Sequence, residues 1–350
     1  MKKAFITGVT GQDGSYLVEF LLEKGYQVHG LQRRSACSNQ ERIFQIKNSN
    51  FFLHYGDLGD SGNLISLLKE ICPDEVYNLA AQSDVGISWK IPEYTGNITG
   101  LGVLRILEGL RVLGLAKKTK FYQASTSELF SGKPGGPIND ENTALEPQSP
   151  YGAAKLYGFW ITKIYRQAYQ MFACNGILHN HESPRRGENF VTRKITLAAA
   201  KISLGIQDKL LLGNLLAKRD WGYAGDFIEA MWLMLQAKEP DDFIIATGQN
   251  HSVKEFCEIA FKEVGFEIIW QGEGVNERGI DKKSGKVIVE VSADFFRPAE
   301  VECLLGDNSK AREKLGWAPK TSFEQLVKIM VQSDLIKAKK ELQLKNFKNS

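Results

Sequence analysis

Short apolar runs alternate with helical patterns through the first half of this chain, and this alternation restricts its fold more than any other feature. The runs lie at residues 4–7, 28–31, 51–55, 76–79, 121–124 and 176–178. Strands that alternate with helices in this way build a parallel sheet with helices on both faces. The sequence therefore predicts an α/β chain with a doubly wound parallel sheet.

A glycine-rich turn, GVTGQDG, follows the first strand, with Gly8, Gly11 and Gly14 spaced three apart. Glycine lets the backbone turn tightly and approach a pyrophosphate, whose charge is stabilised at the N-terminus of the following helix. Apolar spacing over residues 16–24 predicts that helix, and Gly25 stands at its C-cap. A turn can need glycine for steric reasons alone. Its position directly after a first strand nevertheless favours dinucleotide binding in a Rossmann-type fold.

The chain has 350 residues, of which 43% are hydrophobic, and is long enough for one large or two moderate domains. From Asn180 onward the pattern changes to polar, arginine-rich segments. We therefore predict a cofactor-binding Rossmann domain at 1–179 plus about 222–247. A smaller α/β substrate-binding domain is expected at about 180–221 plus 248–350. A net charge of +3 argues against nucleic-acid or membrane partners, which need a concentrated basic face.

The cysteines are five in number, widely scattered and never paired as C-x-x-C: Cys37, Cys72, Cys174, Cys257 and Cys303. This pattern argues against a disulfide framework and against a metal site, and it favours a reducing cytoplasm. Two lysines precede an apolar run at the N-terminus, but Gly8 and Thr10 interrupt that run, so a first strand is expected rather than a signal peptide. No run approaches the ~18 apolar residues of a membrane span.

Basic residues follow the second strand, where NAD-binding sites place an acidic residue on the ribose 2′-hydroxyl. Arg33, Arg34 and Ser35 stand there, and two guanidiniums with a hydroxyl suit a 2′-phosphate, so NADP is favoured over NAD. A solvated loop with two exposed arginines is the alternative. Asp57 and Leu58 follow the third strand, and NLAAQS closes the fourth. The small residues there either leave room for an adenine and a ribose or pack against a helix.

The segments FYQASTSELF and SPYGAAK carry residues able to handle a substrate hydroxyl. Tyr151 and Lys155 are four apart and project from one face of a predicted helix. A nearby ammonium favours the phenolate, so Tyr151 can exchange a proton with a hydroxyl while hydride passes to the cofactor. Thr126, at a strand end, can donate a hydrogen bond to the same hydroxyl. The set predicts oxidation of an alcohol.

Glu128 adds a carboxylate to this set. Such a group can remove the acidic proton next to a carbonyl and, once protonated, can help a hydroxyl leave as water. Oxidation followed by elimination needs this base, whereas simple oxidation of an alcohol does not. An exposed loop carboxylate or a helix-start residue is the alternative interpretation of Glu128.

These motifs resemble the extended short-chain dehydrogenase/reductase family over nearly the whole chain. Within it, the chain resembles the GDP-mannose 4,6-dehydratase family in GVTGQDGSYL, RRS, LAAQSDVG, YQASTSELF, SPYGAAK, NHESPRRGENFVTRKIT, AKRDWG, EAMWLMLQ, FFRPAEV and KAREKLGW. Departures from the family pattern are Leu216 in place of an aspartate, Tyr223 in place of a histidine, and His179 where an apolar residue is common. The glycine- and proline-rich segment 132–137 departs as well.

The resemblance implies NADP-dependent 4,6-dehydration of GDP-D-mannose to GDP-4-keto-6-deoxy-D-mannose, a step toward GDP-linked deoxysugars such as GDP-fucose. Tyr151 would deprotonate the C4 hydroxyl with help from Lys155 and Thr126, and Glu128 would remove the C5 proton and expel the C6 hydroxyl. The implied NADP contacts are Gly8, Val9, Thr10, Gly11, Gln12, Asp13, Gly14, Arg33, Arg34, Ser35, Asp57, Leu58, Leu79, Ala80, Ala81, Gln82, Ser83, Tyr94, Tyr151, Lys155, His181 and Arg186. The implied substrate contacts are Ser83, Glu128, Asn180, Asn189, Val191, Lys194, Arg219, Arg297 and Glu300.

Three alternatives stay open at this point. The sugar can be a GDP-linked heptose, because one extra hydroxymethyl group is a question of pocket volume and segment 132–137 departs from the family pattern. Less expected are another nucleotide-sugar epimerase or dehydratase, and a nucleotide-binding protein without catalysis. The resemblance also implies a homodimer or homotetramer, with the loop at 33–39 a candidate neighbour contact.

Overall fold

The computed structural model describes residues 1–36, 40–133, 136, 138–295 and 303–348, with side chains up to residue 345. Two predicted substrate contacts, Arg297 and Glu300, lie outside the described residues. So do parts of the loop at 33–39 and of the segment 132–137, which the sequence places beside the sugar.

The first half of the chain alternates strands with helices, as its apolar runs predict. The strands are β1 Lys3–Thr7, β2 Gln27–Gln32, β3 Phe51–Tyr55, β4 Glu75–Asn78, β5 Lys120–Thr126 and β6 Ala173–Leu178. The helices are α1 Gln12–Glu23, α2 Ser61–Ile71, α3 Val85–Ser88, α4 Pro92–Thr95, α5 Gly102–Val112 and α6 Pro150–Tyr169.

Shorter strands and further helices follow in the second half. The strands are β7 Asn180–Glu182, β8 Leu210–Leu212, β9 Lys218–Arg219, β10 Trp221–Tyr223, β11 Asp242–Ile245, β12 His251–Ser252, β13 Ile268–Gln271, β14 Arg278–Asp281, β15 Val287–Val291 and β16 Cys303–Leu304. The helices are α7 Val191–Ser203, α8 Ala224–Gln236, α9 Val253–Lys262, α10 Ser309–Leu315 and α11 Phe323–Lys348.

Seven strands form one parallel sheet in the order β11-β6-β5-β4-β1-β2-β3. Alternate residues of the central strand β1 enter two apolar clusters on opposite faces, because successive side chains of a strand point in opposite directions. Ile6 packs in a cluster with Leu17 and Met231, and Phe5 packs in another with Leu64. Burial of each such side chain contributes about 1.5–3 kcal/mol. The predicted Rossmann-type fold class is confirmed.

A third apolar cluster lies among the elements of the second half. It joins helices α7, α9 and α11 through side chains such as Ile195, Phe256 and Val327. Beside it, β13, β14, β15 and β8 form a four-stranded sheet. The predicted hairpin at 281–285 is present between β14 and β15, where Asp281 accepts hydrogen bonds from the backbone N–H and the hydroxyl of Ser284.

An apolar stripe over residues 97–114 predicts a helix, and in the structure this helix is divided. α4 continues into a π-helical stretch, Gly96–Leu101, before α5 begins. At Gly100 a Cβ would lie 3.2 Å from the backbone oxygen of Ala154, so this stretch approaches α6 closely. Periodicity predicts a last helix from Phe323 to about Gln343, and in the structure this helix runs to Lys348. Within the described part of the chain, no helix is long and apolar enough to cross a membrane.

Candidate active site

The glycine-rich turn lies at the carboxyl edge of the parallel sheet, where β1 meets β4. Gly8 has φ +71°, and a Cβ on it would come 2.9 Å from the Ala80 backbone. A Cβ at Gly14 would lie 2.4 Å from the Gly8 oxygen. Both positions therefore require glycine for the turn to fit between β4 and α1, which begins at Gln12. This edge is where open α/β sheets bind their ligands.

Thr7 fixes the residues that close β4. Its hydroxyl donates to Asn78 Oδ1 at 2.7 Å and accepts from the N–H groups of Leu79 and Ala80, each at 3.1 Å. The predicted cofactor residues of this segment are thus held directly beside the glycine-rich turn. Farther along it, Gln82 N–H donates to the Thr99 hydroxyl at 3.1 Å.

The basic residues after β2 lie at the outer end of the predicted cofactor site. Arg33 Nη1 donates to the Tyr94 hydroxyl at 2.6 Å, which brings together two predicted cofactor contacts 61 positions apart. Arg34 is exposed and donates to the Ser35 backbone oxygen. Also in the first half of the chain, the Asp57 carboxylate accepts a hydrogen bond from Gly59 N–H at 2.7 Å. The Leu58 backbone oxygen accepts from Arg105 Nη1 at 3.0 Å.

A cavity of about 350 Å³ opens at the carboxyl edge of the sheet. It brings together most of the predicted catalytic and substrate residues with some of the cofactor residues. The predicted residues that line it are Asp13, Leu79, Ala81, Ser83, Thr126, Glu128, Tyr151, Lys155, Asn180, His181, Arg186, Asn189, Val191, Lys194 and Arg219. Apart from Asp13, no residue of the glycine-rich turn lines this cavity, and neither Arg33 nor Tyr94 does.

Local structure positions the four predicted catalytic side chains in the cavity. Thr126 ends β5 and caps a 3-10 turn, where its hydroxyl accepts from Glu128 N–H at 3.2 Å. Ser149 caps α6 by accepting from a backbone N–H at 3.0 Å, which places Tyr151 in the first turn. Lys155, one turn later, donates to the Ala124 oxygen at 2.8 Å. All four catalytic candidates are buried, so the exposed-loop interpretation of Glu128 does not hold.

Burial shifts the pKa values of the tyrosine and the lysine in opposite directions. Desolvation raises the pKa of Tyr151 to about 12, and the charge of Glu128 adds to this rise while a hydrogen bond from Thr126 opposes it. Desolvation lowers the pKa of Lys155 to about 8. The Lys155 Nζ atom lies 5.8 Å from the centre of the Tyr151 ring. The pair can therefore exchange protons with a ligand near neutral pH once further positive charge stabilises the phenolate.

A buried network joins the start of α1 to strand β7. His181 Nε2 lies 2.8 Å from Asp13 Oδ2, and His181 Nδ1 donates to the His179 oxygen at 2.8 Å. Gln12 donates to the His181 oxygen at 3.0 Å and accepts from the Ser183 hydroxyl at 2.8 Å. Despite an opposing effect of burial, this pairing lowers the pKa of Asp13 and raises that of His181. The pairing with Asp13 therefore favours the protonated imidazole beside the predicted cofactor site.

The cationic wall of the cavity is formed by Arg186, Lys194 and Arg219. Arg186 Nε lies 3.1 Å from Glu182 Oε2, and Arg219 is buried. Lys194 Nζ lies 3.3 Å from the centre of the Phe295 ring, and burial lowers the pKa of this lysine. Guanidinium and ammonium groups on one wall suit an anionic ligand such as a diphosphate.

Several residues that line the cavity were not predicted as site residues. They are Asp84, Val85, Ala124, Ser125, Ser127, Leu178, His179, Glu182, Phe190, Thr192, Leu212, Gly213, Asn214, Ala217, Trp221, Val253 and Phe295. The residues near 125 and 179 stand at the carboxyl ends of β5 and β6. They can be found from the sequence by treating the residues at the end of every predicted strand as site candidates. Those after residue 212 come from irregular segments, a short strand and the start of a helix, where no periodic signal marks them.

Comparison with known proteins assigns the family. A family model described as GDP-mannose 4,6 dehydratase matches residues 5–330. The chain belongs to the GDP-mannose 4,6-dehydratase family. It is 54% identical to the GDP-mannose 4,6-dehydratase of Yersinia enterocolitica, over 99% of this chain and 97% of that protein. It is 55% identical to the GDP-mannose 4,6 dehydratase of Homo sapiens, over 95% of this chain and 91% of that protein.

A solved structure supports the fold that this family membership implies. The dTDP-glucose 4,6-dehydratase of Bacillus anthracis, determined in complex with NAD, is similar with a TM-score of 0.78. The similarity covers 95% of this chain and 98% of that chain at 21% identity. The family resemblance expected from the motifs is therefore confirmed over nearly the whole length.

Proposed function

We propose that this protein converts GDP-D-mannose to GDP-4-keto-6-deoxy-D-mannose by 4,6-dehydration, with Thr126, Glu128, Tyr151 and Lys155 as its catalytic residues. One observation carries the proposal: a buried carboxylate, Glu128, lies in the same cavity as the tyrosine and lysine of an alcohol-oxidising set. Family membership supports the substrate.

The first half-reaction oxidises C4 of the hexose. The Tyr151 phenolate, stabilised by the Lys155 ammonium and the Thr126 hydroxyl, accepts the proton of the C4 hydroxyl and becomes a neutral phenol. NADP, held by the predicted cofactor residues, would supply the acceptor for the C4 hydride and the donor of the hydride to C6. Because the tyrosine pKa is about 12 in the protein alone, the positive charge of the cofactor ring is needed to lower it.

The second half-reaction removes water. Glu128 takes the proton at C5, which the new C4 ketone makes acidic, and then gives a proton to the departing C6 hydroxyl. Addition of a hydride at C6 and of a proton at C5 completes the 6-deoxy sugar. This proton is balanced by the one that Tyr151 took from the C4 hydroxyl, so one water is lost and no net oxidation occurs. The buried position of Glu128 keeps competing water away from the unsaturated sugar.

We propose NADP as the nicotinamide cofactor, with its 2′-phosphate near Arg33 and Arg34. The hydrogen bond from Arg33 to Tyr94 supports this assignment, because it orders one guanidinium at the end of β2 where a ribose would lie. The glycine-rich turn would receive the pyrophosphate, since Gly8 and Gly14 have no room for side chains. We propose that the remaining predicted NADP contacts bind the same cofactor.

The guanosine diphosphate part of the substrate is assigned to the cationic wall of the cavity. Lys194 and Arg219 would contact the diphosphate, and Asn180, Asn189 and Val191 would line its path, with Ser83 near the sugar. Arg297 and Glu300 stay sequence predictions for the same site.

We also propose the two-domain division predicted from the sequence. A cytoplasmic location, based on the cysteine pattern, and a homodimer or homotetramer belong to the same proposal.

Exposed apolar side chains support self-association. A single large apolar side chain on the surface is ordinary, but a group of them on neighbouring helices is not. These are Leu101, Val112, Tyr157, Trp160 and Ile164. Light scattering of the purified protein would give the oligomeric state.

Product analysis tests the function. We expect purified protein to convert GDP-mannose to a 4-keto-6-deoxy sugar, seen by NMR, without accumulation of free NADPH. An unchanged sugar, or a keto sugar that keeps its C6 hydroxyl, would overturn the proposal. A parallel reaction with a GDP-linked heptose would separate the two sugars that the sequence leaves open.

A further inference from the structure

A histidine in the cavity has no role in the proposed chemistry. His179 directly follows β6, and its backbone N–H donates to the Ile245 oxygen at 2.9 Å. Leu178, the residue before it, pairs with the catalytic Thr126 on β5. His179 therefore stands at the carboxyl edge of the sheet, one residue beyond the level of Thr126.

The side chain of His179 is buried without a hydrogen-bond partner. It is 1% exposed and lines the cavity, yet neither ring nitrogen makes a hydrogen bond to any part of the chain that the structure describes. The ring packs against Gly306, where an added Cβ would come 2.6 Å from Nε2. A buried polar atom without a partner costs about 1–3 kcal/mol. Such an arrangement calls for a partner that binds later.

Two neighbours share this property. Ser125 Oγ and Asn180 Oδ1 are also buried without partners among the described residues, and both residues line the same cavity. Ser125 is the next-to-last residue of β5 and Asn180 is the first residue of β7, so they stand on either side of the level of Thr126. Unpaired polar atoms are thus concentrated where the sugar would lie beside the catalytic residues.

The chemistry of the ring indicates the kind of partner. Burial lowers the pKa of His179, which keeps the imidazole neutral, with one nitrogen a donor and the other an acceptor. A sugar hydroxyl can pair with either nitrogen, because a hydroxyl can accept from the ring N–H or donate to the unprotonated nitrogen. A phosphate oxygen only accepts and is better served by the cationic wall.

We propose that His179 is a specificity-determining residue that hydrogen-bonds a hydroxyl of the hexose. This rests on the proposed function, because it assumes a sugar beside Thr126 and Tyr151. The guanosine diphosphate makes no contact with His179 in this assignment.

The substitution His179→Phe tests the proposal, because it keeps an aromatic ring and removes both nitrogens. We expect the KM for GDP-mannose to rise roughly five- to tenfold, the size of one lost hydrogen bond. The inhibition constant of GDP should not change, since GDP has no sugar. His179→Asn, which keeps an amide able to donate and accept, should recover part of the loss.

His29→Phe is the matched control. His29 also carries a buried ring nitrogen without a partner among the described residues, but it lies on β2, four strands from β6. The substitution His29→Phe should leave both the KM for GDP-mannose and the inhibition constant of GDP unchanged. If His179→Phe does not fold, His179→Leu makes the same test.

Two results would overturn the assignment: an unchanged KM for GDP-mannose, or an equal weakening of GDP-mannose and GDP. No turnover of GDP-mannose by the wild-type protein would instead reject the proposed function, and this assignment with it. If the wild-type protein turns over GDP-mannose and His179→Phe has an unaltered KM, only the role of His179 is rejected.

Discussion

His181 Nε2 lies 2.8 Å from Asp13 Oδ2, and this contact ties the helix after the glycine-rich turn to strand β7. The Gln12 side chain adds two hydrogen bonds between the same elements, one to the His181 oxygen and one from the Ser183 hydroxyl. Strand β7 leads into the segment that carries the predicted diphosphate contacts. The predicted cofactor and substrate subsites are thus built on one connected network.

The Asp13–His181 pair should contribute pH-dependent stability. The pKa of His181 is raised above its ordinary 6.5, so its contribution is complete below that value and is lost as pH rises through the folded-state pKa. The pKa of Asp13 is lowered below 3.8, so its contribution is present above that value and is lost on acidification. We expect His181→Asn to cost about 1.5–3 kcal/mol of unfolding free energy in weakly acidic buffer, and less in alkaline buffer.

Denaturant unfolding across this pH range checks the expectation. Asp13→Asn and the double variant complete a cycle that isolates the coupling between the two side chains. A cost for His181→Asn that does not change between acidic and alkaline buffer would show that the pair is not charged in the folded protein.

Glu128→Gln should separate oxidation from elimination. The amide cannot remove the C5 proton, so the variant should reduce its bound cofactor while releasing dehydrated product about 10²–10⁴-fold more slowly. Single-turnover absorbance of the reduced nicotinamide, with NMR of the product, measures both steps.

Glu146→Gln is a suitable control, because Glu146 is half exposed and pairs with Lys133 at 3.0 Å. It should behave as wild type. Turnover of Glu128→Gln at the wild-type rate would remove the role given to this carboxylate.

Lys155 should set the alkaline limit of activity. Its pKa of about 8 means that the ammonium is present below that pH and is lost above it. We expect kcat/KM to fall as pH rises through about 8. In Lys155→Arg, which keeps its charge, the fall should move to higher pH, whereas Lys155→Met should lose about 10²-fold below about pH 8 and show no alkaline fall from this residue.

A pH–rate profile with saturating cofactor makes the comparison. An alkaline limb at the same pH in wild type and in Lys155→Arg would assign the titration to another group.

Arg33 should discriminate NADP from NAD. Removing a guanidinium that pairs with a 2′-phosphate costs a charge-assisted hydrogen bond, so Arg33→Ala should weaken NADP binding about tenfold or more and leave NAD unaffected. Calorimetric titration of cofactor-free protein measures both affinities. Arg111→Ala, which removes an exposed arginine paired with Glu108 at 2.6 Å, should alter neither. Equal losses for both cofactors would place the 2′-phosphate elsewhere.

Much of the first half could be predicted from the sequence, because periodicity and glycine spacing report local structure. The strand at 51–55 and the Tyr151–Lys155 helix follow directly from these signals. The division of the 97–114 helix could not be predicted, because it depends on the close approach of α6 at Gly100. Periodicity contains no information about such a contact.

The site could be predicted less completely. Thr126, Glu128 and Tyr151 stand in recognisable segments, and the structure brings them into one cavity. Trp221 and Asn214 also line it, but short and irregular segments carry them there, so only the folded chain reveals their position. The lack of hydrogen-bond partners for His179 is likewise a property of the packed structure.

Isotope transfer within the sugar tests the central claim most directly. The reaction of GDP-mannose that carries deuterium at C4 should give GDP-4-keto-6-deoxymannose with that deuterium at C6, because the hydride taken from C4 is returned within the same active site. NMR of the product locates the label. Deuterium lost to solvent or to free cofactor, or a product that keeps its C6 hydroxyl, would contradict the account.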